Sequence, residues 1–290
     1  MNTSRHFSAH NRRCFLRGGV IGSAALAIAS LPEGATAALI KPARLPGAGL
    51  KIGVTSYTLR NFTLEQAIAM TKEAGAKYIS LKDMHLPLKS TPAECRESRL
   101  KVEAAGLELL GGGVIYMKNN EQEIRGHFEY AKAAGMPTII CSPDVEALDT
   151  VESMARQFEI RIAIHNHGPG DKKYPSARDV LRFIKRRDPH MGICIDVGHT
   201  VRNGEDPVAV IEECSDRLYD FHMKDVTQAE DKGQPIEVGR GIIDIVGVLQ
   251  TLVKIKYPYH VALEYEAKGK APMPGMSESL GYIRGVLATF

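Results

Sequence analysis

The chain has 290 residues, 44% hydrophobic and 24% charged, with 37 basic against 34 acidic side chains and a formal net charge of +3. Part of that excess belongs to N-terminal arginines, so the rest is near neutral, with no basic stripe of the kind that holds nucleic acid and no acidic tail. Of the five cysteines, Cys14 falls in the N-terminal segment, and the other four, Cys95, Cys141, Cys194 and Cys214, lack disulfide-scaffold or zinc-finger spacing and are expected as buried thiols.

In chain order, the first feature is a charged stretch containing Arg12-Arg13-Cys14-Phe15-Leu16-Arg17. An apolar run over 20–31 follows, then Ala35-Thr36-Ala37, a small-residue cleavage pattern. Paired arginines before a short apolar run predict a signal of the twin-arginine type over 1–37, cleaved to leave an exported, periplasmic domain. The apolar run is shorter than the about 20 residues needed to cross a bilayer, so no stable membrane span is expected after cleavage. Residues 38–50, rich in Pro, Gly and Ala, read as a linker. Residues 51–290 remain, the usual size of one (β/α)8 domain of roughly 250 residues.

Strands are expected over 51–57, 77–82, 108–114, 138–142, 161–165, 192–196, 218–224 and 260–264, with helical patterns between them. The first helical pattern carries Thr63 as N-cap, Gln66 three residues on, and Gly75 as a stop. Similar stops recur at Gly106 and Gly135. Eight strands alternating with helices predict an α/β fold closed into a (β/α)8 TIM barrel. The run Gly111-Gly112-Gly113 lacks the lysine of a phosphate loop and reads instead as close backbone approach.

Four of the later strands end in residues that can hold a metal or move a proton. They read Ile-Ala-Ile-His165-Asn-His167, Ile-Cys-Ile-Asp196-Val-Gly-His199, Asp-Phe-His222-Met-Lys224-Asp225 and Val-Ala-Leu-Glu264-Tyr-Glu266. Side chains alternate faces along a strand. His165 and His167 therefore share a face with Ala163, Asp196 with Cys194, and Glu264 with Ala262 and Glu266, all toward the barrel interior. A parallel barrel gathers the C-terminal ends of its strands at one rim, where catalytic groups sit. His165, Asp196, His222 and Glu264 are thus expected to hold one divalent ion. A mixed nitrogen and oxygen set suits Mn, Co, Zn or Fe better than Ca.

Further candidates lie nearby. Lys82, on the face of Ser80, is a candidate substrate contact or a structural ion pair; Lys224 with Asp225 reads as substrate-facing or as an exposed loop pair. Arg240 sits in a glycine-flanked turn, where it contacts substrate or is solvated, and His167 is a substrate contact or a hydrogen-bonded core histidine.

These motifs resemble the sugar isomerase/epimerase superfamily of xylose isomerase-like TIM barrels. The resemblance rests on Asp196-Val-Gly-His199, His222-Met-Lys224-Asp225, Val238-Gly-Arg-Gly-Ile-Ile-Asp244 and Glu264. It implies a divalent ion held by Asp196, His222 and Glu264, with His199 facing the substrate. This chain departs at two places: His165 stands where most members carry Glu, and Arg240 replaces an acidic residue. The resemblance implies a metal-dependent isomerase or epimerase that removes a proton next to a carbonyl of a keto or aldo sugar, with Glu264, His165 and His199 as catalytic groups. The less symmetric fifth strand leaves open a 3-keto-glycoside lyase working by β-elimination, and a non-catalytic sugar-binding barrel is the third reading. The expected partner is a small carbohydrate. A DNA-repair endonuclease of the related barrel would need more metal ligands and a basic face.

Overall fold

The computed structural model describes residues 49–290. The twin arginines, the cleavage pattern and most of the linker lie outside the described residues.

Eight parallel strands close on themselves. They are β1 (Lys51–Thr55), β2 (Tyr78–Leu81), β3 (Glu108–Met117), β4 (Thr138–Pro143), β5 (Arg161–His165), β6 (Met191–Asp196), β7 (Leu218–Met223) and β8 (His260–Leu263). The ring closes where Lys51 pairs with His260. The expected TIM barrel is therefore the observed one. Each predicted strand is present, the first ending early because Ser56–Leu59 tightens into a 3-10 turn. A two-stranded hairpin, Asp225–Val226 with Pro235–Ile236, rises from the end of β7.

The helices form the outer layer: α1 (Leu64–Glu73), α2 (Pro92–Ala104), α3 (Glu121–Ala134), α4 (Leu148–Phe158), α5 (Ala177–Ile184), α6 (Val197–Arg202), α7 (Pro207–Cys214), α8 (Ile245–Lys254) and α9 (Met273–Leu287). Helix α1 begins with the predicted reciprocal cap, in which Thr63 accepts from Gln66 N and the Gln66 side chain accepts from Thr63 N. Helix α3 ends where Gly135 takes φ 70°, a left-handed conformation open to glycine at no steric cost.

Alternation sorts the strand side chains into two layers. Ile162, Ile164, Ile193 and Ile195 join the large apolar layer between strands and helices. Ile140, Ala163 and Cys194 make a small separate core inside the barrel. Such a narrow interior admits few large groups, and the glycine run in β3 shows the limit. A Cβ on Gly111 would stand 2.8 Å from Ile140 Cδ1 and 2.9 Å from Thr138 O. The run is close backbone approach to β4. Cys95, Cys141, Cys194 and Cys214 are free and buried. Among the described residues no helix is long and apolar enough to cross a membrane.

Candidate functional site

Strand register sets the site. Asp196 pairs with His222 across β6 and β7, and Ala262 pairs with His222 across β8 and β7. Glu264 follows one residue beyond β8, its N–H donating to Met223 O at 2.9 Å. His165 ends β5 beside Cys194. Four sequence-remote side chains thereby meet inside the C-terminal rim, with ligand atoms within 4.8 Å of one another.

The facing atoms are His165 Nε2, Asp196 Oδ2, His222 Nδ1 and Glu264 Oε2. His165 Nε2 lies 3.1 Å from His222 Nδ1 and 3.8 Å from Asp196 Oδ2. His222 Nδ1 lies 3.5 Å from Glu264 Oε2 and 3.9 Å from Asp196 Oδ2. Donors each about 2.1 Å from a shared ion are separated by such distances. Asp196 Oδ2 is buried and accepts no well-directed hydrogen bond, its ammonium contact being the ion pair with Lys224 Nζ at 3.1 Å, so an ion there would find an oxygen with coordination to spare. The residues present fit a divalent metal.

Neighbouring groups fix these atoms. Asp196 caps α6 with one oxygen, Oδ1 accepting from His199 N at 2.9 Å, and so points Oδ2 at the cluster. Capping and ligation are compatible because they use different oxygens. Asn166 ties β5 to β6, its Oδ1 accepting from Asp196 N at 2.8 Å and its amide donating to Thr200 Oγ1 at 3.3 Å. Behind His222, Asp220 Oδ1 stands 3.6 Å from Nε2, the place of a carboxylate that orients a metal-binding imidazole.

Lys224 and Asp225 are not an exposed loop pair; they are 2% and 0% exposed. Lys224 Nζ reaches Asp196 Oδ2 at 3.1 Å, Glu264 Oε2 at 2.9 Å and Glu266 Oε2 at 2.5 Å. Asp225 accepts from the N–H groups of Val226, Gly239, Gly241 and Ile243 and so shapes the turn that carries Arg240. Arg240 itself points outward and pairs with Glu278 of α9; it does not join the cluster. Lys82 stands 5.1 Å over the Tyr57 ring at the far side of the mouth and does not join it either.

His167 and His199 flank His165, with ring centroids 4.5 and 5.8 Å away. Exposed Tyr116, at the end of β3, stacks on His167 and brings its hydroxyl to 3.4 Å from Nε2. Tyr116, Asn166, Asp220 and the ion pair of Glu266 escaped the sequence reading. Asp220 sits two residues from His222 on the same face, so period-2 counting alone could have found it, as it had already placed Glu266 beside Glu264.

Charge inside the site is compensated. Burial opposes ionisation of Asp196 and Glu264, but Lys224 first, with His199 for Asp196 and His222 for Glu264, holds both carboxyls below the ordinary range. Burial likewise opposes a charged Lys224, and Asp196, Glu264 and Glu266 outweigh it, raising its pKa. Desolvation lowers His165 well below its usual value and His199 to about 4. Both imidazoles are therefore neutral near pH 7 and able to bind a metal or accept a proton.

A family model described as xylose isomerase-like TIM barrel matches residues 68–286. An inosose dehydratase from Lacticaseibacillus casei is 31% identical over 85 residues, which span 29% of this chain and 28% of that protein. One from Geobacillus kaustophilus is 23% identical over 138 residues, 42% of this chain and 44% of its own length. The chain thus matches less than half of either relative. Among solved structures, an uncharacterized protein from Parabacteroides distasonis superposes with TM-score 0.65 at 26% identity, covering 82% of this chain and 99% of that one. The 3-keto-D-glucoside 4-epimerase of E. coli gives TM-score 0.66 at 15% identity, covering 81% and 99%, a likeness of fold.

Proposed function

Because this chain belongs to the xylose isomerase-like TIM barrel family, we propose that it is a divalent-metal-dependent enzyme that removes a proton next to the carbonyl of a polyhydroxylated ketone and expels a substituent by β-elimination. The observation that carries this reading is the buried convergence of His165, Asp196, His222 and Glu264. A divalent ion bound there would supply Lewis-acid polarisation of the substrate's carbonyl.

The chain's own residues do the rest. His199, neutral at neutral pH, accepts the proton from the carbon beside the carbonyl. The electron pair of that C–H bond becomes a carbon–carbon double bond as the carbon–oxygen bond one carbon further breaks. The His199 imidazolium then gives that proton to the departing oxygen, while Glu266, its side chain 23% exposed beside the buried Glu264 and Lys224, stays ion-paired to the ammonium at the mouth. The neutral His165 in place of a carboxylate makes the site one-sided, which favours elimination over proton exchange between two faces. Likeness to inosose dehydratases supports the same direction. The leading substrate class is a keto-cyclitol or a 3-keto-glycoside. The second reading, isomerisation or epimerisation, is favoured by Glu266 as a second carboxylate near Glu264.

Incubation with 3-keto-glycosides and keto-cyclitols in deuterated water, followed by NMR, separates them. Elimination releases aglycone or water and leaves an unsaturated ketone. A deuterated isomer with its glycosidic bond intact would establish the second reading, and no turnover of any substrate in the presence of metal would leave a sugar-binding barrel. We also propose export by the twin-arginine route; replacing Arg12 and Arg13 by Lys should retain the precursor in the cytoplasm.

A further inference from the structure

The Lys224 ammonium touches three carboxylates, two of them in the proposed ligand set, and its side chain is 2% exposed. Such burial leaves little of its surface for a substrate. The space for its stem is built by another motif. A Cβ on Gly198 would stand 2.6 Å from Lys224 Cδ and 3.0 Å from Cγ. Gly198 lies in the first turn of α6, between Asp196 and His199, without a positive φ. Its lack of a side chain is thus explained by room for the lysine rather than by backbone conformation. Asp196-Val-Gly-His199 and His222-Met-Lys224-Asp225 are therefore one packing unit.

We infer that Lys224 is the resident counter-ion of the carboxylate cluster, holding Asp196 and Glu264 together in the metal-free protein and competing with a divalent ion for their oxygens, so that it limits metal affinity instead of binding substrate. The inference rests on the metal reading proposed above for its second half only. Two buried carboxylates without a cation repel one another and lose hydration, so removal of the ammonium destabilises the metal-free state. A divalent ion then finds the same oxygens uncontested and one positive charge fewer beside it.

The test compares wild type with Lys224→Met, which keeps the stem and deletes the charge, and with Gly198→Ala, which keeps the charge and displaces the stem. Melting temperature of chelator-stripped protein and Mn²⁺ affinity by competition with a chelating dye are the readouts; neither requires turnover. Stripped Lys224→Met should melt roughly 5–10 °C lower, with the deficit shrinking under saturating Mn²⁺. Its Mn²⁺ affinity should rise about tenfold or more. Gly198→Ala should move both readouts in the same directions by less, and it decides the matter where Lys224→Met is recovered only in the presence of metal. Unchanged melting with unchanged or weaker Mn²⁺ affinity would overturn the assignment. A wild type that takes up no ion, while stripped Lys224→Met still melts lower, would overturn the metal reading and uphold the counter-ion.

Discussion

At the C-terminal end of the barrel, the buried carboxylates of Asp196 and Glu264 meet Lys224 at 3.1 and 2.9 Å. At the N-terminal end, Asp220 and His260 are equally buried yet stand 3.8 Å apart, and Asp220 Oδ2 and both His260 ring nitrogens have no hydrogen-bond partner among the described residues. They border a cavity of about 190 Å³ whose lining includes Lys51, Glu108, Thr138 and Arg161, polar enough and roomy enough for water to serve such groups. Burial moves Asp220 up to about 6 and His260 down to about 3, toward their neutral forms. The upper groups are kept charged by one another, whereas burial pushes the lower ones toward neutrality, which His260 reaches near pH 7 and Asp220 only at more acid pH. Burial of polar residues alone therefore does not mark a site; convergence of opposite charge at an open rim does.

The sharpest way to break this contrast is His199→Ala. It should leave metal content unchanged while lowering kcat about 10²–10⁴-fold, read by metal analysis and turnover on the same preparation. Loss of metal with activity would place His199 among the ligands.

Acid comes next. The folded pKa of His199 lies at about 4 against an ordinary 6.5. The unfolded chain therefore binds a proton that the native chain refuses as pH falls below 6.5. Stability from this group is complete above that value and declines by roughly 3 kcal/mol as pH falls to 4. His260 acts in the same direction over 6.5 to about 3, while His222, raised mainly because its acidic neighbours outweigh burial, acts in the opposite sense. Denaturant titrations of stripped protein should show the decline, with a shallower slope in His199→Asn. A flat profile from pH 7 to 4 would contradict the neutral, desolvated imidazole.

The cluster's four proposed ligands were legible because each closes an apolar strand, and period 2 put them on one face. The barrel was legible for the related reason that strands and helices alternate regularly. Lys224 was not, because a Lys-Asp pair after a strand is locally indistinguishable from a solvated turn. Its burial depends on Glu266, 42 residues on, and on the gap left by Gly198. Arg240 presents the converse: its glycine-flanked position suggested the mouth, but Glu278 on α9 draws it outward. Asn166 acts only through its neighbour on β6, a relation that no single-strand pattern displays.

At the lower end, His260→Gln should cost about 1–2 kcal/mol in chemical denaturation and leave metal binding intact. An effect on metal content would mean that the two ends are coupled through Asp220. Smallest of all, Arg240→Ala should change stability by less than about 0.5 kcal/mol, as befits an exposed ion pair, and KM less than about twofold. A large rise in KM would return Arg240 to the substrate.

The most direct measurement is the divalent-metal content of the purified protein by elemental analysis, beside Asp196→Ala, His222→Ala and Glu264→Ala. About one ion per chain in the wild type, falling to near zero in each correctly folded variant, is the result expected from ligands gathered on four strands. Wild-type metal content retained in all three variants, or none in the wild type after exposure to Mn²⁺, Co²⁺, Zn²⁺ and Fe²⁺, would contradict the assignment of this rim as a metal centre.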